Sequence, residues 1–223
     1  MTPPAPPRRL LLEAAFLTVL AAGATVLILH LDAAWARRHQ GLLIAALWLY
    51  LPLLVAWLKK DDWISLGLGR PPLGLSLALV GLWVLISFPP FYLAWGWAQV
   101  DYFGRTFQPA WPQGLLNLFL VQTLAIALPE EVFFRGYLQS RLNLVWGRPW
   151  RLWSAEIGPG LFATALVFTL CHLLISVNWL RFAILFPALL FGWMRERTNS
   201  LLAPILFHAL SNLTFLVVQS WWY

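Results

Sequence analysis

The stretch TLAIALPEEVFFRGYLQ, residues 123–139, decides how the chain is read. Its flanks are apolar enough to lie in a bilayer, yet Glu130, Glu131 and Arg135 fall within six residues of one another. A helix crossing the hydrocarbon core needs about 20 mostly apolar residues. An ionisable side chain at that depth is costly enough to mark a functional site by default. The stretch therefore reads as a membrane helix with chemistry built into it.

The rest of the chain agrees. Of 223 residues, 61% are hydrophobic and 11% charged, against about 45–50% and about 25% in a soluble domain. Seven apolar segments are long enough to cross: 10–31, 41–58, 73–98, 114–140, 158–177, 179–194 and 200–220. The expected fold is an all-α, polytopic membrane bundle of about seven transmembrane helices, a single integral membrane domain over 1–223. The fifth and sixth segments are expected to form a helical hairpin. The polar stretch 59–72, KKDDWISLGLGRPP, is expected along the interface, and 101–112 as a loop.

The basic residues lie in short loops, so the net charge of +6 sets topology and implies no nucleic-acid partner. Ten Lys and Arg fall on the side of the N-terminus and four on the other, which makes the N-terminus cytoplasmic by the positive-inside rule. The expected location is a bacterial or archaeal plasma (inner) membrane. Arg8 and Arg9 precede about twenty apolar residues, a first span rather than a cleaved signal peptide. Glu13, near the basic end of that span, is expected to reach toward Arg8 or Arg9. Cys171 is the one cysteine, so no intrachain disulfide forms. The fifteen tryptophans fit interfacial belts. Prolines fall within spans at Pro52, Pro89, Pro90, Pro129 and Pro187. Pro129 directly precedes the glutamates, and a kink there would open the helix toward water.

Three pieces carry the chemistry. Glu131 and Arg135 are four apart and share a helix face, while Glu130 points about 100° away. Two adjacent carboxylates in a poorly hydrated site cannot both ionise cheaply. Arg135 separates their roles: Glu131 becomes its charged partner and Glu130 is left free as a base. Phe168 and His172 sit one turn apart in the fifth span, His208 and Asn212 one turn apart in the seventh. Groups converging from separate helices are how sites are built inside bundles. A carboxylate beside histidines around a water suits hydrolysis, the carboxylate taking the proton of an attacking water. Histidine and asparagine can stabilise an oxyanion.

Together EEVFFR (130–135), FTLCH (168–172) and HALSN (208–212) resemble the CPBP family, which includes type II CAAX prenyl proteases and bacteriocin-processing enzymes. The resemblance covers about 114–215, a catalytic core, and SLGLGR ahead of the third span is also similar. It implies an intramembrane endopeptidase acting on a membrane-associated protein or peptide. Glu130 would activate water with His172, His208 and Asn212 would form the oxyanion site, and Glu131, Arg135 and Phe168 would support them. No cofactor is favoured. Zinc is the alternative, with Glu130, His172 and His208 as ligands and a fourth position open.

Other chemistries fit less well. Ser211 lies in no GxSG-like motif and no GxGD is present, which argues against serine and aspartyl intramembrane proteolysis. Cys171 adjoins His172 but diverges from it around the helix, and reads as a small core residue. A different class, a proton or cation transporter or an inactive accessory protein using the same polar cluster, stays open. No internal repeat supports transport, and the charges cluster rather than form a relay.

Overall fold

Seven helices build the bundle in a computed structural model that describes residues 7–175 and 178–223. The proline-rich start and the expected tight turn at 176–177 lie outside the described residues, as does the side chain of Trp179. Helix α1 covers Pro7–Leu29, α2 Ala34–Lys59 and α3 Leu73–Trp97, continued by a π-helical turn at Ala98–Tyr102. Helix α4 runs Leu115–Trp146. Helices α5 (Pro159–Ile175), α6 (Leu185–Thr198) and α7 (Leu202–Gln219) follow. Five of the seven are long and apolar enough to cross a membrane. The other two, α5 and α6, have 17 and 14 residues. The sixth element starts later than the sequence suggests, because 179–184 forms a 3₁₀ turn.

Between α4 and α5 stands a small antiparallel hairpin, β1 (Trp150–Leu152) with β2 (Ala155–Ile157). Its two-residue turn holds Trp153 and Ser154 at positive φ, 47° and 65°. Neither residue is the glycine or asparagine that announces such a turn, so the sequence gives no hairpin signal.

Small residues and side-chain hydrogen bonds join the helices, as expected where lipid is as apolar as leucine. Buried residues Leu10, Ala14, Leu17, Ala21 and Thr25 form one stripe of α1. Trp48 of α2 donates its indole N–H to Thr25 at 2.9 Å. The same indole lies edge-on to Phe133 (4.6 Å) and stacked on Phe134 (5.0 Å) of α4. Gly192 lets α6 pass close to its neighbours, since a Cβ there would meet Gln139 Oε1 at 2.9 Å and Leu161 Cγ at 3.0 Å.

Helix α1 begins, and α2, α4 and α6 end, at one end of the bundle, here the proximal end. Glu13 does not reach Arg8 or Arg9. It accepts from Tyr137 Oη at 2.7 Å, pairs with Lys59 and approaches Arg141 Nε at 3.6 Å. Arg141 also grips Asp61. Glu196 accepts from Gln139 (2.6 Å), Asn143 (2.8 Å) and Arg148 (2.9 Å). Arg141 and Arg195, expected as loop charges, are thus buried in helices.

The stretch 59–72 does more than skim an interface. Leu66 is buried, and Gly67, at φ +79°, offers its carbonyl to Leu201 N–H at 3.0 Å. The segment plugs the space under the α6–α7 turn and closes the bundle beneath the site. At the distal end, the loop after α3 is pinned to the C-terminus by Thr106–Tyr223 and Gln108–Trp221 backbone bonds.

Candidate active site

Helix α4 carries the first piece, and its shape follows from Pro129. Proline lacks an N–H and its ring crowds the carbonyl four residues back. The helix answers by widening: π-helical turns at Gln122–Ala127 and Val132–Leu138 flank a short α-helical stretch, Leu128–Glu131. Such π turns recur at functional sites. Burial changes sharply at the same point. Every residue from Glu131 to Gln139 is buried, whereas 115–128 is mostly half-buried or exposed.

The two glutamates differ in burial and in partners. Glu131 is fully buried and its Oε1 accepts from Arg135 Nη1 at 2.9 Å. The same oxygen lies 2.9 Å from His208 Nδ1, so Glu131 holds a histidine as well as the arginine. Glu130 is 22% exposed, and its Oε2 sits 3.9 Å from His172 Nε2 and 3.8 Å from His208 Nε2. The structure brings Glu130, His172 and His208 together from α4, α5 and α7. Asn212 lies one turn beyond His208, half-buried, and makes no side-chain hydrogen bond among the described residues.

The partners of the rings fix their tautomers. His172 Nδ1 lies 2.9 Å from the Phe168 carbonyl, which can only accept. His208 Nδ1 faces a carboxylate oxygen. Each Nδ1 therefore carries a proton, and each ring turns its Nε2 toward Glu130. Both gaps, 3.9 and 3.8 Å, are longer than a direct hydrogen bond. A polar gap just beyond hydrogen-bond reach is where a bridging water belongs. Glu130 Oε2 is among the buried atoms without a partner among the described residues, together with Glu131 Oε2 and Arg135 Nε.

Residues 112–214 match the family model described as type II CAAX prenyl endopeptidase Rce1-like. Over this segment, just under half of the chain, the protein is similar to the Rce1-like family. That family is one of proteases, and the matched segment contains all seven residues singled out by the sequence. No curated protein and no solved structure matches the chain.

The Rce1-like segment also holds residues that the motifs missed. Phe191 of α6 stacks on His208 at 4.8 Å and lies 5.0 Å from the Arg135 guanidinium. Phe168 covers the other side of that guanidinium at 4.4 Å, so it both packs Arg135 and, through its carbonyl, orients His172. Arg135 Nη2 donates to the Ala188 carbonyl at 3.0 Å. Gln139, one turn on, reaches the Gly192 carbonyl at 3.1 Å. Nothing in the apolar run of α6 signals Phe191. Gln139 and Asn143 are legible, because they extend the Glu131–Arg135 spacing of four along one helix.

Cys171 is buried in the core and Ser211 spends its hydroxyl on the Phe207 carbonyl at 2.7 Å. His30 and His39 lie at the ends of α1 and α2, away from the site. Zinc would need Glu130, His172 and His208 each at about 2.0–2.2 Å from one point. Among the described residues no three His, Cys, Asp or Glu side chains gather that tightly.

Proposed function

We propose that this Rce1-like protein is an intramembrane endopeptidase in which Glu130 activates the hydrolytic water. The observation that carries the reading is the placing of Glu130 Oε2 between the Nε2 atoms of His172 and His208, 3.9 and 3.8 Å away. A water there donates to Glu130 and to His172. As its oxygen attacks the scissile carbonyl, Glu130 takes the proton, an assistance worth about 10²–10⁴-fold. The C–N bond then breaks and the proton passes from Glu130 to the leaving amine.

Asn212 and His208 stabilise the oxyanion, each donor worth roughly 10²–10³-fold. For His208 to donate through Nε2 it must carry a second proton, and Glu131 on its other nitrogen is the counter-ion that suits that form. Arg135 keeps Glu131 charged and in place. The substrate is a membrane-associated protein or peptide. Transport of a proton or cation through the same groups is less favoured. The polar stripe does continue from the site through Gln139 toward Glu196, but any cation following it must pass the fully buried charge of Arg135.

The test compares membrane peptides, by mass spectrometry, from cells carrying wild type or Glu130→Gln at matched expression. A cleaved terminus present only with wild type is expected, and it names the bond. Identical profiles would count against proteolysis and call for ion-flux assays. Activity is expected to survive chelators. Loss with chelation and recovery with zinc would instead make Glu130, His172 and His208 a metal site.

A further inference from the structure

Helix α2 carries an apolar groove of about 560 Å³, lined by Ala46, Leu47, Tyr50, Leu54, Trp57 and Trp63 among others. It lies on the outer side of the bundle. Tyr50, Leu54 and Trp57 are exposed, whereas Trp48, Pro52 and Ala56 of the same helix are buried. A second pocket of about 330 Å³ adjoins the groove, shares Trp57 and Trp63 with it, and adds Lys60 and Asp61. Apolar lining thus gives way to charge where α2 ends.

The dimensions point to lipid. Ala46 and Trp57 are eleven residues apart, about 16 Å at 1.5 Å per residue. That is one leaflet, half of a hydrocarbon core of about 30 Å. Trp57 and Trp63 stand at the boundary between groove and charged pocket, and indoles favour the headgroup level. An acyl-length groove with charges at its mouth has the outline of a phospholipid.

The charges select the headgroup. Lys60 caps α2 at φ +56°, a left-handed position usually held by glycine because a Cβ is a cost there. Keeping lysine where glycine is cheaper gives the side chain a purpose beyond the cap. Lys59 pairs with Glu13 and Arg141 with Asp61, but no ion pair among the described residues includes Lys60. Asp61, 18% exposed, keeps lone pairs for a donor besides Arg141. A cation beside a carboxylate suits a zwitterion, with phosphate on Lys60 and ammonium on Asp61. We infer that α2 binds one phospholipid bearing a primary amine, phosphatidylethanolamine, with an acyl chain along the groove. Choline has no N–H to give Asp61, and a glycerol headgroup has no positive charge. Trp63 belongs to the 59–72 segment, so the lipid lies against the piece of chain that closes the bundle beneath the site. The inference stands apart from the proteolytic reading.

The test mixes full-length protein in detergent micelles with equimolar phosphatidylethanolamine, phosphatidylcholine and phosphatidylglycerol of matched acyl chains. Retained lipid is read by native mass spectrometry. Wild type is expected to keep about one phosphatidylethanolamine per chain, about tenfold over the other two, the scale of a charge-assisted hydrogen bond. Lys60→Gly favours the left-handed cap, and Ala46→Phe narrows the groove. Each should lower phosphatidylethanolamine retention about tenfold, with the melting temperature of Lys60→Gly at or above the wild-type value, which separates loss of the site from loss of fold. Equal retention of the three lipids by wild type, or unchanged retention in both variants, overturns the inference. A preference for phosphatidylglycerol removes the role of Asp61 and overturns it too. A lipid-free two-chain species that Ala46→Phe disrupts gives the groove to a second copy instead.

Discussion

Two polar clusters lie inside this bundle, and they are finished differently. At the proximal end every carboxylate oxygen has a partner: Glu13 takes Tyr137 and Lys59, Asp61 takes Arg141, and Glu196 takes Gln139, Asn143 and Arg148. At the site, Glu130 Oε2 and Glu131 Oε2 have none among the described residues. Buried polar groups are normally satisfied, and each exception asks for an explanation. The proximal cluster fastens helices together. The site cluster gathers Glu130, His172 and His208 without a direct hydrogen bond among them. The contrast lies in the carboxylates alone, since Gln139 Oε1, Arg141 Nε, Asn143 Oδ1 and Arg195 Nε at the proximal end also lack a partner among the described residues.

Substitutions can break this contrast. The largest effect is expected for Glu130→Gln, which nearly preserves shape. Cleavage should fall by about 10²–10⁴-fold, while yield and melting temperature in detergent stay at wild-type values. A marked drop in melting temperature would place Glu130 with the structural cluster. Arg135→Ala removes the partner of a fully buried carboxylate, at about 3–5 kcal/mol. Protein yield and activity should fall together, and normal thermal stability with full activity would sink the role given to Arg135.

At the proximal end Glu196→Gln keeps an acceptor but loses the charge facing Arg148 and Arg195. The melting temperature should drop, at about 1–3 kcal/mol, while the folded fraction cleaves at the wild-type rate. Phe191→Leu should lower cleavage roughly two- to tenfold, the worth of one aromatic stack, with little loss of fold. The mildest change is Lys59→Met, because this pair is partly exposed and such pairs contribute about 0–1 kcal/mol. A melting curve that does not move would fit.

Much of this was readable from the residues. The seven helices follow from apolar runs, and Glu130, Glu131, Arg135, His172 and His208 follow from charges and histidines where lipid should be. The pairing of Glu131 with Arg135 follows from a spacing of four. What the sequence hides is what depends on partners far along the chain. Glu13 looks local to Arg8 and Arg9, yet its partners are Lys59, Tyr137 and Arg141, brought over by the fold. Arg195 and Glu196 look like a loop because charges usually are, and they are buried only because Gln139 and Asn143 stand opposite. The stretch 59–72 is polar by composition, and a single leucine, Leu66, with a left-handed Gly67 turns it into a plug. Phe191 is one phenylalanine among fifteen until His208 is laid against it.

The helices that bring His172, Phe191 and His208 to the site are also the short ones, 17, 14 and 18 residues in α5, α6 and α7. At 1.5 Å per residue they are about 21–27 Å long, against a hydrocarbon core of about 30 Å. A short hydrophobic stretch is accommodated by local thinning of the bilayer, by snorkelling of flanking residues or by oligomerisation. The first of these would bring headgroup water closer to the three helices that carry His172, Phe191 and His208.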